Sequence, residues 1–380
     1  MTAHAKSWPL MAAVSFALLM DYFIYGLIVS LVGHDPGHAA GEAPFGLAHG
    51  GYAVGVLAAA PLFGYLGERI GLKRTMILGV ALSAAAMALF ALAPGAALKL
   101  LAELLQGAGT AATWTAGLSL VARHHVERRV EMMGYALMGS TVGSLLGDVA
   151  GGALQYIGGD RLPFLVAGVL VAIDAGLRVF VVPPDPGGRQ TFAGLGALLA
   201  DASVLVSAAA VGLAALAWSV VDSLLPARLA HAGVAPVMIG LVFIAATIVY
   251  GVCSPLVERA CERFPLRKVI AAGTLAMAIA LPLVGVVHGI IAAAAAVSVV
   301  SLCYAFMLDP TTAELGNAVD RRRMSCYAPV YAVFNVAYAV GMVAADVAAT
   351  PAAAWLGFIP VLLCASAVLI FAAPFLARKA

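Results

Sequence analysis

The chain has 380 residues, of which 63% are hydrophobic and only 11% charged, with a net charge of +2. An average soluble protein has about 45–50% apolar and about 25% charged residues, so this chain has too little polar surface to cover a soluble core. The composition excludes a fibrous, disordered or disulfide-stapled chain and leaves no basic face for nucleic acid; it reads as an integral membrane protein with almost nothing outside the bilayer.

A membrane helix needs about 20 apolar residues, and twelve such runs succeed one another along the sequence. The first, at about 9–32, contains Asp21. It is too long for a cleavable signal peptide and has no small-residue cleavage site. The following loop holds His34, Asp35, His38, Glu42 and His49 among Gly and Pro residues. Such a loop is a poor preformed cage, so it reads as solvated, and no metal site is expected. The second and third runs, at about 46–67 and 75–93, flank the charged stretch Glu68 to Arg74. Pro94-Gly95 breaks the chain before the fourth run, at about 97–121. The fifth and sixth lie at about 132–157 and 163–182, separated by Gly158-Gly159-Asp160. The polar stretch at about 183–202 begins Pro183-Pro184-Asp185-Pro186 and reads as a midpoint linker, with a short surface helix expected at Phe192–Leu199. Six further runs follow at about 203–230, 237–259, 269–287, 290–317, 329–349 and 358–376. The five cysteines lie mostly in apolar runs without metal-ligand spacing and read as core thiols.

Basic residues mark the cytoplasmic side of a membrane protein. Seventeen of the 21 Lys and Arg residues fall on the side of the N-terminus, against Lys99, Arg161 and Arg228 on the other, with Arg178 inside a run. Both termini are therefore expected in the cytoplasm. The two halves repeat at an offset of just under 200 residues. Glu68-Arg69-Ile70-Gly71-Leu72-Lys73-Arg74 matches Glu262-Arg263-Phe264-Pro265-Leu266-Arg267-Lys268, and Gly143 with Gly147-Asp148 matches Gly341 with Ala345-Asp346. Parallel repeats of this kind are one transporter architecture, with the substrate between the halves. The expected fold is all-α: twelve transmembrane helices in two pseudo-symmetric six-helix bundles, 1–182 and 203–380, joined by a cytoplasmic linker at 183–202.

These motifs resemble those of the major facilitator superfamily over essentially the whole chain. Gly64 to Arg74 resembles its loop between helices 2 and 3, with Glu68 where Asp is usual, and Leu105-Gln106-Gly107-Ala108-Gly109 resembles its helix 4 motif. Gly139, Gly143, Gly147, Gly151 and Gly152 are similar to the antiporter glycine ladder of helix 5. The ladder implies a twelve-helix drug:proton antiporter. Asp21-Tyr22, Asp222 with Leu224-Leu225-Pro226, Asp309-Pro310 and Val330-Tyr331-Ala332 are similar to the vesicular-amine-transporter-like branch. Three departures stand out. Glu103 occupies the place of the helix 4 Arg, Asp148 follows the third ladder Gly where Pro is usual, and Asn335 replaces an acid of helix 11.

Intramembrane acids are the main functional signal. An acid at the bilayer centre costs about 2.5–3.5 kcal/mol on insertion scales. Asp21, Glu103, Asp148, Asp174, Asp222, Asp309 and Asp346 all fall inside runs, and the only clear internal cation, Arg178, is one turn from Asp174. That pair reads as structural. The other six acids have no intramembrane cation in the sequence and suggest a cavity that takes up protons, a cationic substrate or both. Helical spacing sets Asp21 beside Tyr25 and Asp222 beside Trp218. It aligns Glu103, Gln106, Thr110 and Trp114 on helix 4, and Tyr331, Asn335, Tyr338, Met342 and Asp346 on helix 11. Acids beside aromatic rings can hold an organic cation. Glu68, Arg69, Lys73, Arg74, Asp148 and Asp346 are expected to act in gating, Glu68 by accepting from an exposed helix N-terminus and the basic residues by latching acids.

The function expected is proton-coupled export of a small organic, amine-like or lipophilic cationic substrate by alternating access. The alternative is export of an endogenous metabolite such as a siderophore, with the acids serving proton coupling or gating. No cofactor is expected beyond the proton gradient. The expected partners are substrate, protons and lipid, with the chain a monomer. An enzyme would need a nucleophile–base pair or metal cluster at membrane depth, and a sensor an output domain; neither is visible.

Overall fold

The computed structural model of the chain describes residues 7–33, 45–92, 95–159, 161–185, 196, 198 and 200–377. Among these are twelve helices: α1 (Ser7–Gly33), α2 (Phe45–Ile70), α3 (Leu72–Leu92), α4 (Ala96–His124), α5 (Arg129–Gly158) and α6 (Leu162–Phe180), then α7 (Ala202–His231), α8 (Pro236–Arg263), α9 (Leu266–Val286), α10 (Ile290–Arg321), α11 (Ala328–Leu356) and α12 (Phe358–Ala377). Each covers one apolar run. The chief difference is at α11, which continues through Pro351 to Leu356 instead of stopping near 349. A membrane helix tolerates an internal proline because neighbouring groups re-satisfy the freed carbonyl. The proposed surface helix at Phe192–Leu199 falls almost wholly outside the described residues.

Two turns shrink to a single residue. Gly71 alone separates α2 from α3, and Gly357 alone separates α11 from α12, with φ of 95° and 89°. An L side chain is disfavoured in that region, so glycine permits these reversals. Asp201 caps α7, its carboxylate accepting from the Ser203 N–H at 2.8 Å.

Ten of the twelve described helices are long and apolar enough to cross a membrane; α4 and α5 are the other two. For α4 the reason lies in packing. Residues 109–122 form an unbroken buried stretch, so this helix has no lipid-facing stripe there to keep apolar and carries Thr110, Thr113, Trp114, Thr115 and Ser119. In α5 glycines and the acids Glu131 and Asp148 lower the hydropathy.

The described chain divides into two compact units. The first, here the N-unit, comprises Met1–Val126, Tyr135–Gly194 and Ser325–Val336; the second, the C-unit, comprises Glu127–Gly134, Leu195–Met324 and Ala337–Ala380. Compared with a division at the linker, residues 127–134 and 325–336 change sides. Within the N-unit α4 packs against α1, α2 and α3, and α3 against α6. Within the C-unit α10 packs against α7, α8 and α9, and α9 against α12. The pairings are the same with every helix number raised by six, the structural counterpart of the internal repeat.

Small residues set the closest crossings. A Cβ at Gly139, Gly143 or Gly147 of α5 would sit 2.1–2.2 Å from the carbonyls of Ser15, Leu19 and Phe23 of α1. A Cβ at Gly341 of α11 would sit 2.2 Å from the Gly212 carbonyl of α7. Glycine at these positions lets two backbones touch, the usual device of membrane helix packing.

Candidate substrate and proton sites

In the N-unit a single guanidinium organises the acids. Arg178 of α6 is fully buried and donates to Asp174 at 2.5 Å, to Thr113 Oγ1 at 2.7 Å and to the Met76 carbonyl at 2.9 Å. Its Nη2 also lies 3.8 Å from Asp21 Oδ1, with Asp21 itself 1% exposed. The Asp174–Arg178 pair is thus larger than the sequence suggests. Asp21 is not without a cation; from α1 it shares Arg178 with Asp174 of α6. Local spacing reveals the α6 pair, but nothing local connects position 21 to position 178.

Aromatic rings continue from Asp21. Tyr22 lies 5.4 Å from Trp114 and 5.8 Å from Tyr25, and Tyr25 lies 4.7 Å from Tyr52 of α2. Trp114 also stacks on Phe334 of α11 at 5.9 Å. The helix 4 stripe lies beside this wall and is buried: Glu103, Gln106 and Thr110 are 5%, 2% and 4% exposed. Asn335, at the helix 11 position, is used structurally. Its amide nitrogen donates to Thr115 Oγ1 at 2.8 Å and to the Ala111 carbonyl at 3.2 Å, fastening α11 to α4. Tyr331 is fully buried nearby in sequence.

The C-unit holds a second constellation. Asp309 of α10 is fully buried, accepts a hydrogen bond from the Tyr250 hydroxyl of α8, and has Ser254 Oγ at 3.4 Å. Gly134 at the start of α5 makes room for it: a Cβ there would come within 2.5 Å of Asp309 Oδ2 and 2.3 Å of Ser254 Oγ. Tyr304 bridges outward, 6.0 Å from Tyr250, stacked 5.2 Å from Trp218, and with its hydroxyl 3.2 Å from that of Tyr338. Asp222, one turn beyond Trp218, is exposed, and Asp346 lies within electrostatic reach of it and accepts from Ser223 at 2.9 Å. The sequence reading contains Trp218 as the neighbour of Asp222, Tyr338 on the helix 11 stripe and Asp309 as an intramembrane acid, but misses Tyr250 and Tyr304. A hydroxyl that meets an acid 59 residues away leaves no periodic trace.

At the charged ends of the helices Glu68 accepts from a helix N-terminus as expected, while the basic residues beside it do not latch acids among the described residues. Glu68 lies in the last turn of α2 and accepts at 2.9 Å from the N–H of Ala328, the first residue of α11. The basic residues beside it meet no acid among the described residues. Arg69 donates to the Tyr65 hydroxyl one turn back and covers that ring, Lys73 donates to the Val179 carbonyl at 2.6 Å, and Arg74 is exposed. It is Arg123 that reaches an acid, Asp185, at 3.2 Å, and Asp185 also accepts from the Leu72 N–H at 3.3 Å. A further network, read from sequence only as topology, ties the start of α5 into the C-unit. The Arg129 side chain, 2% exposed, reaches Asn317 at 2.5 Å and Asp320 at 2.8 Å, and Glu258 accepts from the Glu131 N–H at 2.6 Å. His34, Asp35, His38, Glu42 and the side chains of His49 and Asp148 lie outside the described residues.

A sequence profile of the Major Facilitator Superfamily matches residues 11–209 and again 207–379. The chain belongs to the major facilitator superfamily. The double match, one copy per half, agrees with the repeated helix pairings. Among the superfamily's curated members, the chromaffin granule amine transporter of Rattus norvegicus is 27% identical over 286 residues, and the synaptic vesicular amine transporter of Mus musculus 29% over 296 residues. The vesicular acetylcholine transporter of Rattus norvegicus is 28% identical over 305 residues. These matches cover 74–75% of this chain but only 55–57% of the relatives, so the chain spans about half the length of the curated relatives it matches. Two solved superfamily structures share the fold: the human organic anion transporter MFSD10 at TM-score 0.75 and 17% identity, covering 97% of this chain and 99% of that one, and a variant of the E. coli fucose:proton symporter FucP at 0.72 and 17%, covering 100% of both.

Proposed function

We propose that this superfamily member is a secondary transporter, not an enzyme, and that it exports a small amine-like or lipophilic cationic substrate in exchange for protons by alternating access. The observation that carries this reading is the burial of acids beside tyrosines and tryptophan in both units, in a chain where only 11% of residues are charged. Intramembrane acids are rare and persist where a proton or ion must be handled. The similarity to amine transporters favours a cationic substrate. The distribution of Lys and Arg favours cytoplasmic termini, and the bacterial inner membrane is the proposed location.

The acids divide the work. Asp309 receives hydroxyls from Tyr250 and Ser254, so it can exist as an anion without a cation, and a proton arriving on it competes with those donors. Asp222 lies close to Asp346; a cation or a proton between them relieves their repulsion. Trp218 and Tyr304 supply the stacked faces beside it, and Tyr338 a hydroxyl. Asp21 couples to Arg178, so loading it with a proton shifts Arg178 toward Asp174. Glu68, at the end of α2 and bound to the first N–H of α11, is the proposed latch whose release accompanies the change of state.

The test uses reconstituted vesicles with an imposed proton gradient and a pH-sensitive dye. Lipophilic amines are expected to dissipate the gradient in wild-type vesicles, with Asp21→Asn, Asp222→Asn and Asp309→Asn each losing most of the flux while remaining folded. Flux driven by polar metabolites alone would move the substrate to an endogenous compound, and full flux in all three variants would remove the acids from the mechanism.

A further inference from the structure

Two acids of the N-unit have opposite surroundings. Asp21 stands near a guanidinium. Glu103 stands near none: its Oε2 is buried and finds no hydrogen-bond partner among the described residues. Two neighbours on the same face of α4 are also unsatisfied, Gln106 Nε2 and Thr110 Oγ1. They follow Glu103 by three and seven residues, so the three polar groups form one line about two turns long. Lys99, one turn before Glu103, is exposed. Among the described residues, the titratable side chains of α1 and α2 nearest to Gly51 in this packing are Tyr52, which follows it, and Tyr25, 4.7 Å from Tyr52.

The place is shaped as well as polar. The Glu103 carboxylate lies against Gly51 of α2, where a Cβ would sit 2.4 Å from Oε2. Gly55 and Gly107 bring α2 and α4 into backbone contact on either side, with a Cβ at Gly107 only 2.1 Å from the Tyr52 carbonyl. Tyr52 follows Gly51 directly in α2, and its ring packs on Tyr25 at 4.7 Å. Leaving three polar atoms of one helix face buried and unsatisfied costs stability, because each has given up water for nothing. A ligand that brings a positive charge to the carboxylate and a polar group to Gln106 and Thr110 removes that cost.

We propose that Glu103, Gln106 and Thr110 form a cation subsite for an organic ammonium group, with Glu103 as its counter-ion. Asp21, matched to Arg178, is then not the acid that holds the ammonium in this unit. The ammonium displaces a proton from the Glu103 carboxyl: one O–H bond breaks, the proton leaves to water, and the carboxylate pairs with the cation. The proposal rests on the amine reading above and sharpens it, since it selects one acid among the buried ones.

The experiment compares purified wild-type protein with Glu103→Gln, Glu103→Asp and Gly51→Ala. Binding of 2-phenylethylamine is measured by calorimetry, with 2-phenylethanol as the uncharged control and a pH dye in weak buffer reporting proton release. Wild type is expected to bind the amine, ignore the alcohol and release a proton. Glu103→Gln is expected to lose about tenfold or more in affinity, equivalent to one charge-assisted contact, and to release no proton. Gly51→Ala keeps the charge but displaces the carboxylate, so it is expected to weaken binding in the same direction. Glu103→Asp is expected to fall between. If Glu103→Gln does not fold, Gly51→Ala and Glu103→Asp carry the comparison. Wild-type affinity and proton release in the variants, alongside amine-driven flux in wild-type vesicles, would overturn the subsite and leave the transport reading standing. Absence of both amine binding and amine-driven flux in wild type would overturn both.

Discussion

Arg178 decides how the N-unit acids are balanced. One guanidinium serves two carboxylates, a hydroxyl and a backbone carbonyl from four helices, α1, α6, α4 and α3. Its planar fork suits this arrangement, and a lysine ammonium cannot reproduce it. Removing one side of a buried pair strands the other charge and costs about 3–5 kcal/mol, whereas replacing both with apolar groups is often neutral. Arg178→Leu is therefore expected to lower the thermal midpoint in detergent strongly. Arg178→Leu with Asp174→Leu is expected to recover part of that loss, and the remainder reports the share owed to Asp21. Equal midpoints for the single and double variants would assign Arg178 to Asp21 alone. The i,i+4 spacing made half of this cluster legible from sequence. The other half needed the packing of α1 on α6, which no local pattern encodes.

The elements themselves were the most legible part of the molecule, because about 20 apolar residues bounded by turn residues have few other fates. What the sequence concealed was how helix ends are fastened. Asp201 is read from sequence as the close of a linker, yet it caps α7 and also pairs with Arg322 after α10, at 2.8 and 2.9 Å. Burial alone would raise its carboxyl, but the Arg322 guanidinium and the Ser203 N–H hold it below its ordinary value. A group lowered in the folded state contributes stability above its ordinary value, about pH 4, and loses it as the pH falls through the lowered one. Asp201→Ala is expected to cost about 0.5–2 kcal/mol at neutral pH, as for other N-caps. The exposed Arg322 pair adds little. The melting difference between wild type and Asp201→Ala is expected to shrink on acidification from about pH 5 to pH 3; a difference that grows would contradict the sign.

At the scale of the whole chain the repeat is legible and the exchange of segments is not. Residue offsets of just under 200 reveal that α1–α6 and α7–α12 share a plan, and the helix pairings repeat it. Nothing in the offsets places residues 325–336 in the N-unit or 127–134 in the C-unit, because each assignment depends on a contact far away in sequence. One contact of the first segment is made by Glu68, whose carboxylate accepts from the Ala328 N–H, at the start of α11, where a negative charge stabilises the exposed amides by about 0.3–1 kcal/mol. Glu68→Ala removes both the acceptor and the charge. Amide exchange in a peptide spanning residues 325–332 is then expected to speed up by about two- to fivefold, the ratio that corresponds to such an energy when opening is local. Glu68→Gln keeps an acceptor oxygen but no charge, so it is expected to exchange at an intermediate rate. Proton-driven flux in vesicles is expected to fall in the same order, since a latch that no longer holds one state no longer sets the balance between states. Unchanged exchange in Glu68→Ala would mean that the start of α11 is held in the N-unit by Asn335 and Phe334 on α4 instead, and the latch would pass from the carboxylate to that packed face.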